Sequence, residues 1–300
     1  MFIMTKSSNS NVLKNNQQNI AIILILVVIF LGYFFVKFIN NYYSNPERVF
    51  WAMINQNLQT ASVEKNSKID YGLQTYSQSI KLQFKADLIS QSLVQITEKS
   101  NDSSSRVITE AIGTANADFI RYKEITKNDK PDKSNVVNVW AIQNKDNSGN
   151  EPSVLADALL SSPLMFGYLN SQKRQELVSQ LKQDQVFNID FNKVDKAYIF
   201  NNNSYFAYDV DINLQKYITV YKNYLNSIGQ NTLAEQLGSE ATGATYQAKI
   251  LVNSKSAQPV ALIVGGNYDT FTNFDLNNQI ELPKNVNTTF DQLKTKLSQT

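Results

Sequence analysis

Apolar residues form one long run near the start of the chain, from Ile20 to Ile39, and Lys37 in its last turn is the only charged residue within it. A helix of about 20 apolar residues crosses the hydrocarbon core of a bilayer and satisfies its own backbone hydrogen bonds there. Bulky residues follow the run, whereas a cleaved secretory signal needs a shorter apolar core and small residues at its cleavage site. The pattern therefore predicts one transmembrane helix over residues 20–39.

The residues before this run are polar, and they determine the predicted orientation. Residues 1–19 carry Lys6 and Lys14 and no acidic residue, which favours a cytoplasmic location by the positive-inside rule. We expect residues 1–19 to form a disordered cytoplasmic tail and residues 45–300 to form an exported, extracytoplasmic domain. The protein is then a single-pass membrane protein that contacts the membrane through the run from Ile20 to Ile39.

The first part of the domain has a helical spacing that changes to the spacing of strands. Asn45, Pro46 and Glu47 are typical of the first residues of a helix. From Ala61 to Asn144 apolar and polar residues alternate in several short runs separated by polar turns. This alternation predicts an antiparallel meander with one solvated face.

A helical insertion over residues 152–185 interrupts the strands. Pro163 ends its first helix, and the second helix is predicted from Ser171 to Gln183. Between these helices, the segment from Leu164 to Leu169 is apolar, although connecting segments usually run over the protein surface. We call this segment the 164–169 loop.

Strand signals return in the second half of the domain. The asparagine-rich residues 201–204 predict a hairpin turn, because Asn tolerates positive φ. A long amphipathic helix is predicted over residues 214–228, and residues 232–235 match a capping box. Further strand runs are predicted at residues 245–252, 259–264, 267–274 and 279–282, before a closing helix. Together these elements predict an α+β domain built on an antiparallel sheet.

Residues 246–283 resemble the ending of the lipoprotein-carrier and lipid-binding lipoprotein domains that are called LolA-like. In that family two strands joined by a turn precede a phenylalanine, an isoleucine and a proline that close an incomplete barrel. The matching positions in this chain are Tyr246, Pro259, Phe274, Ile280 and Pro283. Residues 205–218 are similar to the strand and helix that come before this ending in the family.

The resemblance implies a curved antiparallel sheet, an incomplete β-barrel, wrapped over helices, with an apolar cavity able to hold acyl chains. The chain departs from the family in its transmembrane helix, because family members are soluble or are lipidated through a cysteine. Its insertion at residues 152–185 is also long. A lipid or another apolar molecule is the ligand that the resemblance implies.

The amino-acid composition excludes most kinds of catalytic site. The chain has no cysteine and no histidine, which excludes disulfides, thiolate catalysis, Ser-His-Asp triads and the commonest metal ligands. Residues 209–213 begin like a calcium-binding loop, but Leu214 stands where that loop needs glycine. The net charge is +2 without the basic stripe that nucleic-acid binding requires. We therefore expect no enzyme activity, no cofactor, no bound metal and no nucleic-acid partner.

The remaining candidate site is apolar. The residues predicted to line a cavity or to cover it are Phe50, Ile54, Trp140, Leu164, Met165 and Phe166. If the 164–169 loop is a lid over a cavity, the domain binds a lipid or another apolar ligand. If the loop is a plug, the domain is a non-enzymatic interaction or scaffold domain of the cell envelope with a filled core. Packed interiors are the rule in proteins, which favours the plug.

Overall fold

The computed structural model describes residues 44–84, 87–100, 102–145, 153–237, 243–272 and 279–299. The predicted cytoplasmic tail and the predicted transmembrane run lie outside these residues. No helix in the described part of the chain is both long enough and apolar enough to cross a membrane.

One sheet of fourteen strands dominates the described residues. Its strands are β1 (Ser62–Asp70), β2 (Gln74–Gln83), β3 (Ile89–Lys99), β4 (Ser104–Gly113), β5 (Ala117–Lys127), β6 (Lys130–Pro131), β7 (Ala141–Asn144), β8 (Phe187–Asn188), β9 (Asp195–Phe200), β10 (Asn203–Asn213), β11 (Thr245–Asn253), β12 (Gln258–Val264), β13 (Asn267–Thr272) and β14 (Thr288–Thr289). Their order is β14-β7-β5-β4-β3-β2-β1-β13-β12-β11-β10-β8, with β6 beside β5 and β9 beside β10. These pairs are antiparallel except for β14 with β7. The sheet is open and curved, as an incomplete barrel is.

Six helices accompany the sheet in the described residues. They are α1 (Pro46–Asn57), α2 (Val154–Leu160), α3 (Ser171–Gln183), α4 (Leu214–Ser227), α5 (Asn231–Gln236) and α6 (Phe290–Ser298). The predicted start of α1 is confirmed, because the Asn45 side chain accepts a hydrogen bond from the Arg48 N–H at 3.1 Å. The predicted bounds of α3 are confirmed as well. The fold is therefore α+β, as the sequence predicts.

Two local predictions are wrong. Residues 279–282 form no strand, and they run with Pro283 beside the sheet, where the Ile280 N–H donates to the Gln83 side chain at 3.0 Å. The predicted capping box at residues 232–235 is absent because α5 begins at Asn231, with Gln230 in the N-cap position and no side-chain cap. Phe274, one of the positions that carry the family resemblance, lies outside the described residues.

The asparagine turn between β9 and β10 forms as predicted. Asn201 has φ 48° and Asn202 has φ 63°, and Phe200 lies opposite Asn203 across the turn. Two central residues with positive φ are the mark of a type I′ turn, whose twist matches that of the paired strands. This turn fixes the register of β9 against β10.

The sheet has an inner face, which the helices cover, and an outer face. Side chains alternate between the two faces along each strand. On β10 the inner positions are Phe206, Tyr208, Val210 and Ile212. These side chains pack with α1, α3 and α4 in the main hydrophobic core. Asp209 and Asp211 point to the outer face, as their alternation with apolar residues predicts.

α2 lies close against the inner face at β4. Gly113 makes this approach possible, because a Cβ atom on Gly113 would lie 2.4 Å from the Leu155 backbone nitrogen. The first turn of α2 is held by Asp118 of β5, whose Oδ2 accepts the Val154 N–H at 3.0 Å. Asp118 Oδ1 forms an ion pair with Lys145 Nζ at 2.8 Å.

A second buried ion pair holds the other end of α2. Lys65 of β1 is 5 % exposed, and its Nζ donates to the Ser161 carbonyl at 3.0 Å and to Asp269 at 3.3 Å. A cation is stabilised at a helix C-terminus, where the last carbonyl groups have no partner within the helix. The helix is therefore fixed on the sheet by polar contacts at both ends and by apolar contacts between them.

Candidate functional site

The 164–169 loop fills the space between the sheet and the helices. Leu164, Met165 and Phe166 are each at most 1 % exposed. The Phe166 ring centroid lies 5.6 Å from that of Tyr221 and 5.4 Å from that of Tyr224, both on α4. Both rings meet Phe166 edge-on, which is a favourable arrangement for aromatic pairs.

Hydrogen bonds also hold the loop in place. The Gly167 N–H donates to Tyr224 Oη at 3.0 Å, and the Tyr224 hydroxyl donates to the Gly167 carbonyl at 3.1 Å. The Tyr221 hydroxyl donates to the Leu159 carbonyl at 2.9 Å. The loop backbone also donates to the end of α1, from Leu169 N–H to the Leu58 carbonyl at 2.8 Å. Buried polar groups that are paired in this way specify one arrangement of a core.

Burial of these tyrosines predicts a loss of stability at alkaline pH. Desolvation raises the pKa of Tyr217, Tyr221 and Tyr224 above the ordinary value near 10. The folded state therefore keeps protons that the unfolded state releases, so the stability is full below about pH 10 and falls as the pH rises above it. Thermal melts between about pH 8 and 11 measure this fall.

The variant Tyr217→Phe removes one of these titrating phenols. We expect its melting temperature to fall less steeply between about pH 10 and 11 than that of the parent chain. Equal slopes for the two proteins would mean that the buried phenols do not control alkaline unfolding.

The structure brings five of the six predicted site residues together. Phe50 and Ile54 of α1 are fully buried in the same hydrophobic core as Leu164, Met165 and Phe166. Each of these five side chains is enclosed by other side chains of the core, so each contributes to a filled interior.

Trp140 lies apart from the other five predicted residues. It packs in a separate cluster on the outer face, with Ile112 and Ile280. The Arg121 guanidinium lies over the Trp140 ring, 4.5 Å from its centroid, and pairs with the buried Glu110 carboxylate. This arrangement of a cation, an acid and an aromatic ring is satisfied within the chain. Ile280, in the segment 279–283 that we call the strap, packs in the same cluster.

A large open space remains at the end of the sheet where α1 leads into β1. It is a cleft of about 950 Å³ between two turns of the meander, at residues 87–89 and 114–116, and the helical layer, at residues 168–170 and 227–228. We call it the rim cleft. Gln59 at the end of α1 and Leu282 in the strap also line it.

The floor of the rim cleft is apolar and its edge is mixed. Phe84, Ile89 and Leu169 in the floor are at most 7 % exposed. At the mouth, Tyr168 is 51 % exposed and Leu282 is 43 % exposed. Large apolar side chains that face an open cleft are suited to contact an apolar molecule.

Tyr168 adopts an unusual backbone conformation beside the cleft. Its φ of 57° lies in the left-handed region, which is costly for a bulky side chain. The loop backbone holds it there, since the Tyr168 N–H donates to the Thr60 carbonyl at 2.9 Å. The preceding Gly167 has no side chain, and a Cβ atom there would lie 2.2 Å from the Phe84 ring. These contacts direct the Tyr168 side chain out of the core.

Sequence reasoning missed the rim cleft because its parts are far apart along the chain. Each contributing segment is a turn or a helix end, and such segments show no periodicity. The one local signal is Tyr168, a large side chain next to a glycine at the end of an otherwise buried apolar loop.

Comparison with known proteins leaves the function open. No family model matches the chain, and no curated protein matches it. Among solved structures, the chain is similar to the crystal structure of LprF from Mycobacterium bovis, with 11% sequence identity over 83% of this chain and 97% of that chain. The TM-score is 0.35. A similarity of this size carries no functional argument.

Proposed function

We propose that the domain binds a lipid or another apolar molecule in the rim cleft, without catalysing a reaction on it. The observation that carries this proposal is a cleft of about 950 Å³ with a buried apolar floor and exposed apolar side chains at its mouth. Ligand sites of small molecules are concave and mostly apolar, with volumes of about 300–1,000 Å³. The rim cleft has a volume within this range and an apolar floor, while polar side chains such as Asn116 and Lys173 share its edge.

The floor of the cleft is preformed, because its side chains are already packed in the folded core. A ligand therefore orders few groups when it binds, which lowers the entropic cost of binding. Tyr168 and Leu282 lose contact with water when a ligand covers them, and burial of apolar area contributes about 25 cal/mol per Å². The polar edge, which includes Asn170 and Lys173, leaves room for a polar group at one end of the molecule.

The same proposal places the domain outside the cytoplasm, held to a membrane by the run from Ile20 to Ile39. Its support is the length of that run and the two lysines before it. Protease added outside intact cells is expected to remove the domain and to leave residues 1–19 protected. Protection of the domain instead would reverse the proposed orientation.

A second candidate is a non-enzymatic interaction or scaffold domain. The observation that favours it is the filled interior, in which the 164–169 loop occupies the half-barrel. The two candidates differ in one measurable property, since a scaffold domain takes up no apolar probe in its rim cleft.

The test of ligand binding compares two leucine-to-glutamate variants of the soluble domain, residues 45–300. Leu282 lines the cleft, whereas Leu73 is 70 % exposed at the opposite end of β2. A carboxylate at position 282 replaces roughly 60 Å² of apolar contact, worth about 1.5 kcal/mol. We expect Leu282→Glu to weaken binding of the fluorescent fatty acid cis-parinaric acid about tenfold.

Leu73→Glu adds the same charge and is expected to leave probe binding unchanged. Equal affinity of the parent domain and both variants would place the probe outside the rim cleft. No uptake by the parent domain would favour the scaffold candidate.

A further inference from the structure

Two helix ends form one edge of the rim cleft. α3 begins there at its N-cap, Asn170, and α4 ends there at Ser227. The start of a helix carries a partial positive charge, and the end of a helix carries a partial negative one. At this edge the two partial charges oppose each other, so the charged side chains of the edge determine which ligands it favours.

Lys173 lines this edge from the first turn of α3. Its Nζ donates to the Ser227 carbonyl at 2.8 Å, which holds the ammonium group between α3 and α4. A lysine ammonium group has three donors, and within the described residues this is the one hydrogen bond that the Lys173 side chain makes. Two N–H donors therefore remain for the oxygen atoms of a ligand.

A second cation follows Lys173 on the same turn of α3. The Arg174 Nη1 atom donates to the side-chain oxygen of Gln59, which itself lines the cleft. Neither Lys173 nor Arg174 makes an ion pair in the part of the chain that the structure describes. Glu176, the nearest acid along α3, accepts a hydrogen bond from Gln172 at 2.9 Å. This edge of the cleft therefore carries more positive than negative charge.

The opposite wall of the cleft carries a negative charge. Asp87 lines this wall in the turn between β2 and β3, and its side chain is exposed. Among the described residues its carboxylate makes no ion pair with Lys173 or with another base. An anionic group in the cleft is therefore attracted by Lys173 and repelled by Asp87. These charges favour one direction for an amphiphile, with its anionic head at the helical edge and its apolar chain over the floor.

We propose that the apolar molecule in the rim cleft carries an anionic head group, a carboxylate or a phosphate, that binds Lys173. This inference rests on the proposed function and adds the chemical class of the ligand. The head group accepts the two free donors of Lys173, while the acyl chain covers Phe84 and Leu169 in the floor. Hydrogen bonds from an ammonium group to an anionic oxygen are stronger than those between neutral groups. An amphiphile with a neutral head makes the same apolar contacts without this gain.

The test uses the full chain in lipid nanodiscs and two ligands with the same apolar chain, cis-parinaric acid and its methyl ester. Lys173→Gln removes the charge at the cleft. Lys216→Gln removes an equal charge in the first turn of α4, about 16 Å along the helix from Ser227. We expect Lys173→Gln to bind the acid about fivefold more weakly than Lys216→Gln does, the upper range for an exposed ion pair. We expect the two variants to bind the ester equally. Uptake by the lipid is common to both variants and cancels in the comparison.

A competition experiment distinguishes the two head groups. Oleate and oleoyl lysophosphatidate are each added against cis-parinaric acid, with the neutral glycerol ester of oleate as the control. The anion that displaces the probe at the lower concentration identifies the head group as a carboxylate or a phosphate. A neutral ester that displaces the probe as effectively as both anions would contradict the inference.

A third variant shows whether the charge itself is responsible. Lys173→Arg keeps the positive charge, so we expect its affinity for the acid to lie within about twofold of that of the parent chain. Equal affinity of Lys173→Gln and Lys216→Gln for the acid would overturn this inference and leave the proposed function standing. No uptake of either ligand by the parent chain would overturn both.

Discussion

Replacing Phe166 with alanine is expected to lower the free energy of unfolding by about 3–5 kcal/mol. The Phe166 side chain is 1 % exposed and lies against Tyr221 and Tyr224. Truncation removes its apolar contacts and leaves a cavity that a rigid core closes only in part. For a domain of this size the melting temperature should fall by roughly 2–4 °C for each kcal/mol.

Tyr168 supplies the matched control two residues further on. It belongs to the same loop, but it is 51 % exposed and points into the rim cleft. Tyr168→Ala is expected to change stability by less than about 0.5 kcal/mol, as surface substitutions usually do. If Phe166→Ala proves as mild as Tyr168→Ala, the loop is not the plug that its burial indicates.

The sequence was a good guide to several elements whose own residues determine their structure, although the local capping-box signal at residues 232–235 failed. α3 has the bounds that its apolar spacing predicts, and Asn201 and Asn202 form the predicted turn. Alternation identified the inner positions of β10. In each case neighbouring residues carry the signal, so no knowledge of distant contacts is needed.

The prediction that Trp140 lies with Phe50 and Ile54 is wrong, because contacts between distant strands determine its position. Trp140 lies just before the short strand β7, where alternation has no starting point, and the structure places it on the outer face with Ile280. Its neighbour Arg121 comes from a different strand, so the cation that stacks on the ring could not be foreseen. The rim cleft was missed for the same reason, because distant turns build it.

The sequence also does not predict the two ion pairs at the ends of α2. Lys145 and Asp118 are separated by more than twenty residues, and in the sequence both resemble ordinary polar residues of turns. Only the fold shows that Asp118 is 3 % exposed on its side chain and Lys145 14 %. Because the pair is largely buried, we expect the loss of either charge to lower the stability of the domain.

Removing Asp118 is expected to destabilise the domain by about 3–5 kcal/mol, because it leaves the largely buried Lys145 ammonium without its ion-pair partner. Asp118→Ala also removes the acceptor of the Val154 N–H at the start of α2. Asp118→Asn keeps an oxygen for that N–H and removes only the charge. Comparing the two variants by chemical denaturation separates the helix contact from the ion pair.

The exposed pair between Asp209 and Lys249 provides the control for burial. The Asp209 side chain is 82 % exposed, and exposed ion pairs contribute about 0–1 kcal/mol. Asp209→Ala should therefore have a small effect on the free energy of unfolding.

Combining Asp118→Ala with Lys145→Met removes both charges of the pair, so we expect the double variant to be more stable than Asp118→Ala alone. A double variant that is less stable than Asp118→Ala would show that Lys145 is held by its bonds to the Thr114 carbonyl and the Ser153 hydroxyl, rather than by the charge of Asp118.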